Sequence, residues 1–429
     1  MKKSIYPKKE SWGELLRRPT QTVADIEATV NQIFSEVSEK GNVAVSKYTQ
    51  LFDGITVADL AVSSEDIEAA NHEVSTELKE AIRLAKNNIE KFHKAQQSSP
   101  VHVETMEGVQ CWQEKRPIEK VGLYIPGGSA PLFSTILMLA IPAALAGCKE
   151  VFLCTPPDKR GSIHPAILYT AQLCGIQQIY KVGGIQAIAA MTFGTETIPK
   201  AFKLFGPGNQ FVTVAKQIAT KFGVAIDMPA GPSELLVFAD DTANAAFVAS
   251  DLLSQAEHGG DSQVLLVTTS QKMLDAVETQ IGIQISELPR RDIAQLAMDN
   301  SKLILVKNEA EALELINEYA PEHFIVVSEQ ESLFVDGVMN AGSVFIGSYT
   351  PESAGDYASG TNHTLPTNGY AKQYSGVNLD SFLKSMTFQR ISKKGIQNIG
   401  RAVELMAESE GLMAHKNAVS IRLKELENE

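Results

Sequence analysis

The sequence predicts an α/β protein in which two Rossmann-like, doubly wound parallel-sheet units carry helical N-terminal and C-terminal extensions. Three observations lead there. Between residues 117 and 378 short apolar runs alternate with amphipathic stretches, and most runs end in glycine or proline where a helix would begin. The flanking segments show apolar residues at three-and-four spacing, the mark of helices. At 429 residues the chain is too long for one ordinary core, so more than one domain is expected.

Residues 1–116 form the first, mainly helical region. TVADIEATVNQIFSEVSEKG keeps helical spacing and stops at Gly41, and SSEDIEAANHEVSTELKEAIRLAKNNIEKFHKA opens on a serine cap. His72 and His93 fall on these helices and read as solvated surface residues. Residues 117–230 form the first Rossmann-like domain, through KVGLYIPGG, KEVFLCTPP, QIYKVGG and AFKLFGPGN. Residues 231–378 form the second, through SELLVFA, the helix TANAAFVASDLLSQAEH, SQVLLV, SKLILV, the helix NEAEALELINEYA, HFIVV and AGSVFIG. In such sheets ligands are expected in the crevice at the carboxyl ends of the strands. Residues 379–429 return to helix and finish in KELENE.

Composition narrows the function. Hydrophobic content of 44% and charged content of 21% suit a globular enzyme. A net charge of −13 argues against nucleic acid or an anionic membrane as partner. MKKSIYPKKE is positively charged but no apolar run follows it, so it reads as neither signal peptide nor anchor, and a cytoplasmic protein is expected. Cys111, Cys148, Cys154 and Cys174 show no C-x-x-C spacing, and the last three sit in apolar phrases, as reduced thiols acting as small hydrophobes do.

The chemistry concentrates in polar, glycine-punctuated phrases around His258, His323, His363 and His415. Imidazole, carboxylate and amide donors can hold a borderline metal such as zinc without cysteine. In DLLSQAEHGG, Gln255 and His258 stand three apart near a helix end and could share one face, although an exposed glutamine beside a C-terminal cation reads equally well. APEHF puts Glu322 and His323 at the start of a strand, where they could point to two faces of one reaction or form a helix-terminus ion pair. PESAGDYASGTNHTLPT reads as a long glycine-bearing loop offering Asp356 and His363, with a plain turn-forming role open for Asp356. The dinucleotide fingerprint G-x-G-x-x-G is absent. The nearest approach is FGPGNQF, where Gly206, Gly208 and Asn209 follow an apolar run and open a helix.

Together these phrases resemble the histidinol dehydrogenase family. VGLYIPGGSAPLFST, VGGIQAIAAMTFGTE, FGPGN, DMPAGPSE, DLLSQAEHG, PEH, AGSVF, PESAGDYASGTNHTLPT and AHKNAV carry the resemblance along nearly the whole chain. It implies oxidation of L-histidinol through L-histidinaldehyde to L-histidine with two NAD+ and one Zn2+ per site. It further implies zinc ligands at Gln255, His258, Asp356 and His415 and an acid/base pair in Glu322 and His323. Substrate contacts are implied at Ser233, Gln255, His258, His323, Asp356, Glu410 and His415, NAD contacts at Tyr124, Gln186 and Asn209, and a supporting role at His363. A homodimer is implied in which each subunit lends Glu410 and His415 to its neighbour. One departure stands beside Gln186, where Ile185 replaces the alanine common in the family. Two competing readings remain from the residues alone: a zinc hydrolase, since His, Asp and an activating Glu also suit amide hydrolysis, and a non-catalytic two-lobed binding protein.

Overall fold

Two parallel sheets with the same internal strand order organise most of the chain. The computed structural model describes residues 1–19, 23–127 and 130–428, so Thr22 of the first helical phrase, Gly128 and Ser129 of YIPGGSAP, and Glu429 lie outside the described residues. The chain divides into two compact units, residues 1–96 with 118–381 and residues 97–117 with 382–429.

The chain opens on strand β1 (Lys2–Ile5). Helices Val23–Lys40, Asn42–Asp53, Ser64–Glu73 and Thr76–Ala95 follow. The last two are capped by Ser63 and Ser75, whose hydroxyls accept the amides of Asp66 and Leu78. Strands β2 (Val101–Met106) and β3 (Val109–Pro117) precede the first parallel series: β4 (Lys120–Tyr124), β5 (Glu150–Thr155), β6 (Gln178–Lys181), β7 (Lys203–Phe205) and β8 (Ala225–Ile226). The second series is β9 (Glu234–Ala239), β10 (Gln263–Thr268), β11 (Lys302–Leu305), β12 (His323–Val327) and β13 (Ser343–Ile346), and β14 (Leu383–Ile391) comes last.

The first sheet runs β6-β5-β4-β7-β8 and the second β1-β11-β10-β9-β12-β13, every pair parallel. Counted from its own first strand, each has the doubly wound order, with its switch point beside β4 and β7 or beside β9 and β12. Their strands read as continuous apolar runs because helices cover both faces; all six residues of β9 and of β10 are buried.

The N-terminal region holds, beside its helices, an edge strand in which Lys2–Ile5 pairs with Lys302–Leu305. So short a segment shows no period of its own; distant chain completes it. Two expectations are corrected. The C-terminal region is not all helix but contains β14, which pairs antiparallel with β3, and β3 with β2. These strands carry charges at many positions and lack an apolar run, and cross-strand stacking of Trp112 on Phe388 (5.3 Å) and His102 (5.9 Å) holds them instead. His93 is fully buried rather than solvated: its Nδ1 donates to the Ile89 carbonyl (2.9 Å) and its Nε2 meets the Asn362 amide (3.2 Å). All four cysteines are free, and burial pushes the Cys148 thiol up to about 11 and the Cys174 thiol to about 12, as inert thiols require. No helix among the described residues is long and apolar enough to cross a membrane.

Candidate active site

The amino edge of the second sheet gathers most of the candidate residues. β9, β12 and β13 begin there with Glu234, His323 and Ser343, where His323 pairs with Ser343 of β13 and with Leu235, the second residue of β9. Helix Ala245–Ala256 follows β9 and returns across the sheet, so its C-terminus brings Gln255 and His258 back to that edge. The expectation of a site at carboxyl ends therefore fails for this sheet. The reason lies in the sequence positions: the polar residues sit at strand starts and at the end of the returning helix.

Glu322 occupies a bend just before β12, so strand alternation does not separate it from His323; Glu322 Oε2 and His323 Nδ1 lie 3.7 Å apart. Both turn to the backbone of one residue of β9, on the two peptide groups that flank its Cα. The Glu234 N–H donates to Glu322 Oε2 (2.9 Å), and His323 Nδ1 donates to the Glu234 carbonyl (3.1 Å). A carbonyl only accepts, so it places the proton on Nδ1 and leaves Nε2 as the ring's free nitrogen. Nε2 is buried without a hydrogen-bond partner, 3.7 Å from Asp356 Oδ1.

Burial dominates the electrostatics. It pushes the Glu322 carboxyl up to about 8, against the partial opposition of His323 and the Glu234 amide. Burial would depress His323, but Glu352, Glu322 and Asp356 outweigh it and raise the ring well above its ordinary value. Burial also raises Glu352 strongly, whereas His323 and its neighbouring imidazoles overcome burial at Asp356 and hold it low.

The short helix Glu352–Tyr357 replaces the loop expected around Asp356 and sets Glu352 and Asp356 one turn apart on one face. His258 lies two residues beyond its own helix, past the C-cap Glu257, so a shared helical face with Gln255 is not what aligns it. Donor atoms of His258, Glu352 and Asp356 nevertheless lie within 4.8 Å of one another. The buried Gln255 amide abuts Glu352; oriented to donate to Glu352 Oε1, it accepts the Glu234 N–H at 3.0 Å. A dication fits this set. Three carboxylates crowd one imidazole, Glu352 Oε2 is buried without a partner, and nitrogen and oxygen donors of these types suit zinc. Glu410 and His415 lie on the second unit, Glu410 as the C-cap of helix Lys393–Ser409 and His415 in helix Met413–Glu427, both exposed. The cluster at the sheet edge is built without them.

Two cavities adjoin one another beside these elements. A cavity of ≈780 Å³ opens at the carboxyl ends of the first sheet and is lined by Tyr124, Gln186 and Asn209. Tyr124 is buried and its hydroxyl accepts the Gly184 N–H (3.1 Å), while Gln186 Oε1 is buried and unpaired. Asn209 caps helix Gln210–Ala219 through Val212 N–H (3.1 Å). The buried Lys216–Asp227 pair braces the preceding loop: Lys216 donates to the Gly206 carbonyl (2.8 Å) and Asp227 accepts the Gly206 N–H (2.8 Å). Ile185 is buried within the first-sheet core. A second cavity of ≈270 Å³ is lined by Ser233, His258, Glu322 and His363, and shares Pro126, Gly127 and Asn209 with the first. His363 donates from Nδ1 to the Asp356 carbonyl (2.9 Å) and meets Thr135 through Nε2 (3.3 Å), a bracing position.

Sequence reasoning missed Glu352, although its spacing to Asp356 behind Pro351 is a helix-face signal. It also missed Glu234, which reads as the first letter of an apolar strand.

Comparison with known proteins joins this geometry to a family. The histidinol dehydrogenase family profile matches residues 16–423. Histidinol dehydrogenase of Bacteroides thetaiotaomicron is 60% identical over 426 residues, covering 99% of this chain and all of that protein. The enzyme of Escherichia coli K12 is 52% identical over 423 residues, 98% of this chain and 96% of that one. The crystal structure of histidinol dehydrogenase from Elizabethkingia anophelis superposes with a TM-score of 0.97 at 58% identity, covering 100% of this chain and 99% of that one. These matches select the oxidoreductase reading over the hydrolase and binding-protein readings, and the chain belongs to the histidinol dehydrogenase family, a family of NAD-dependent oxidoreductases.

Proposed function

We propose that this enzyme oxidises L-histidinol through L-histidinaldehyde to L-histidine at the amino edge of the second sheet, as a cytoplasmic homodimer using two NAD+ and one Zn2+ per site. The observation that carries this reading is the pairing of Glu322 and His323 on the backbone N–H and C=O of Glu234, with His323 Nε2 facing Asp356 without a hydrogen-bond partner. Gln255, His258 and Asp356 would hold the zinc ion with His415 of a neighbouring subunit, and Glu352 stands close enough to join or brace them. When bound, zinc supplies a charge that anchors the amino alcohol, and NAD+ accepts the hydrides. Tyr124, Gln186 and Asn209 would receive the dinucleotide in the larger cavity, with Ser233 beside the substrate in the smaller one, His363 supporting it, and Glu410 supplied by a neighbouring subunit.

During the first oxidation His323 takes the alcohol proton at Nε2 in its neutral form, which a dication held among Glu352 and Asp356 would favour by offsetting the carboxylates that otherwise stabilise the imidazolium. Its Nδ1–H stays fixed on the Glu234 carbonyl, so the ring does not rotate away. Glu322 takes a proton from water attacking the aldehyde carbon, and a carboxyl near 8 is poised for that transfer in mildly alkaline solution. Burial of both groups keeps the aldehyde away from bulk solvent.

Replacement of Glu322 by Gln separates the steps. Histidinol and histidinaldehyde are supplied in turn and NADH is followed. Aldehyde oxidation should fall by roughly 100-fold or more, the usual scale of a lost general base, with alcohol oxidation much less affected. Equal slowing of both steps would remove Glu322 from the role of base.

A further inference from the structure

Glu234 is a buried carboxylate that lines neither cavity, yet its backbone holds both members of the proposed acid/base pair. Its side chain is held from the side away from the cleft. Arg18 Nε donates to Oε1 (2.5 Å) and Nη2 to Oε2 (2.9 Å), a two-pronged contact that fixes the carboxylate plane. The same guanidinium donates to the Tyr319 carbonyl (2.6 Å) and stacks over the Tyr319 ring at 4.1 Å. From the other side the Asn368 N–H donates to Glu234 Oε1 (2.7 Å), with Asn368 in the left-handed region at φ +55°. A strained residue and a nearly buried ion pair are costly to keep, and here every contact converges on the first residue of one central strand.

We propose that Arg18 and Glu234 are a positioning pair for catalysis. Arg18 locks the Glu234 side chain, which fixes the Glu234 Cα and with it the two peptide groups that flank it, the first of which orients the Glu322 carboxylate through its N–H and the second of which sets the His323 tautomer through its C=O. The inference rests on the reading of Glu322 and His323 as the acid/base pair. Neither side chain lines the cleft, so disturbing the pair acts on the backbone groups behind it: proton transfer slows, while KM for histidinol stays close to that of wild type.

The test uses the metal-loaded enzyme with histidinol and NAD+. Arg18→Lys retains the charge but cannot span both carboxylate oxygens and the Tyr319 carbonyl. It should lower kcat about tenfold or more, the range for groups that orient a site from outside it, with KM for histidinol and zinc content within about twofold of wild type. Glu234→Gln should do the same, and supplies the answer if an Arg18 variant folds poorly. Combined with Glu322→Gln, Arg18→Lys should cost less than it does alone, because the part of its effect that runs through the Glu322 carboxylate is already lost. Normal kcat in folded, zinc-loaded Arg18→Lys and Glu234→Gln beside a crippled Glu322→Gln would overturn the positioning pair alone, as would fully multiplicative effects in the double variant. Wild-type kcat in Glu322→Gln and His323→Asn would overturn the acid/base reading and the pair with it.

Discussion

Glu352 and Glu234 mark where residue-level reading stops. Gln255, His258, Asp356 and the Glu322–His323 pair are legible because polar residues beside glycines or at strand starts have few structural duties to explain them. Glu352 becomes visible only once Pro351 is known to open a helix, and Glu234 acts through its peptide group, which carries no letter of its own. Asp251 is a third such residue. It lies in the middle of helix Ala245–Ala256, and burial alone pushes its carboxyl from 3.8 up to about 7. The native state therefore keeps this proton after the unfolded chain has released it, so stability declines as pH climbs from 3.8 toward 7. Asp251→Asn removes that loss. Thermal melts should show the variant's advantage over wild type widening between pH 5 and pH 8, and a gap independent of pH would show that Asp251 titrates normally.

At the scale of elements, the apolar strands were legible because both of their faces are covered, which leaves a run with no alternation to decode. β1 and β14 were not, since their pairing partners are remote, nor were β2 and β3, which a short turn joins but whose polar and charged residues leave no apolar run. The glycine loop after β7 was recognised as a turn but not for what it excludes. Gly206 sits at φ +135°, and a methyl group there would collide with the Tyr124 carbonyl. The loop carries Asn209 into the wall between the two cavities. Gly206→Ala should thus weaken NAD+ binding by about tenfold or more, equal to about 1.4 kcal/mol, measured by calorimetric titration, and should lower the melting temperature as well. Unchanged affinity would separate this loop from the cofactor site.

Across the whole molecule, two sheets of one topology are used at opposite edges: the first at its carboxyl ends, where the larger cavity opens, the second at its amino ends, where the charged cluster forms. The two doubly wound units were readable from the rhythm of apolar runs and glycines, but their strand order was not. Nor was the reversal of edge, because it follows from where the helix after β9 returns Gln255 and His258. Glu410 and His415 are exposed on the second unit, and the proposed homodimer assigns them to a neighbour's site. The most direct test is the yield of NADH per histidinol consumed, before and after chelation and again after zinc is restored. The account predicts one NADH for each of the two oxidations, no free aldehyde, loss of turnover on chelation and its recovery with zinc, with His258→Asn failing to retain the metal. A single NADH per histidinol with released aldehyde, or full turnover in metal-free enzyme, would contradict it.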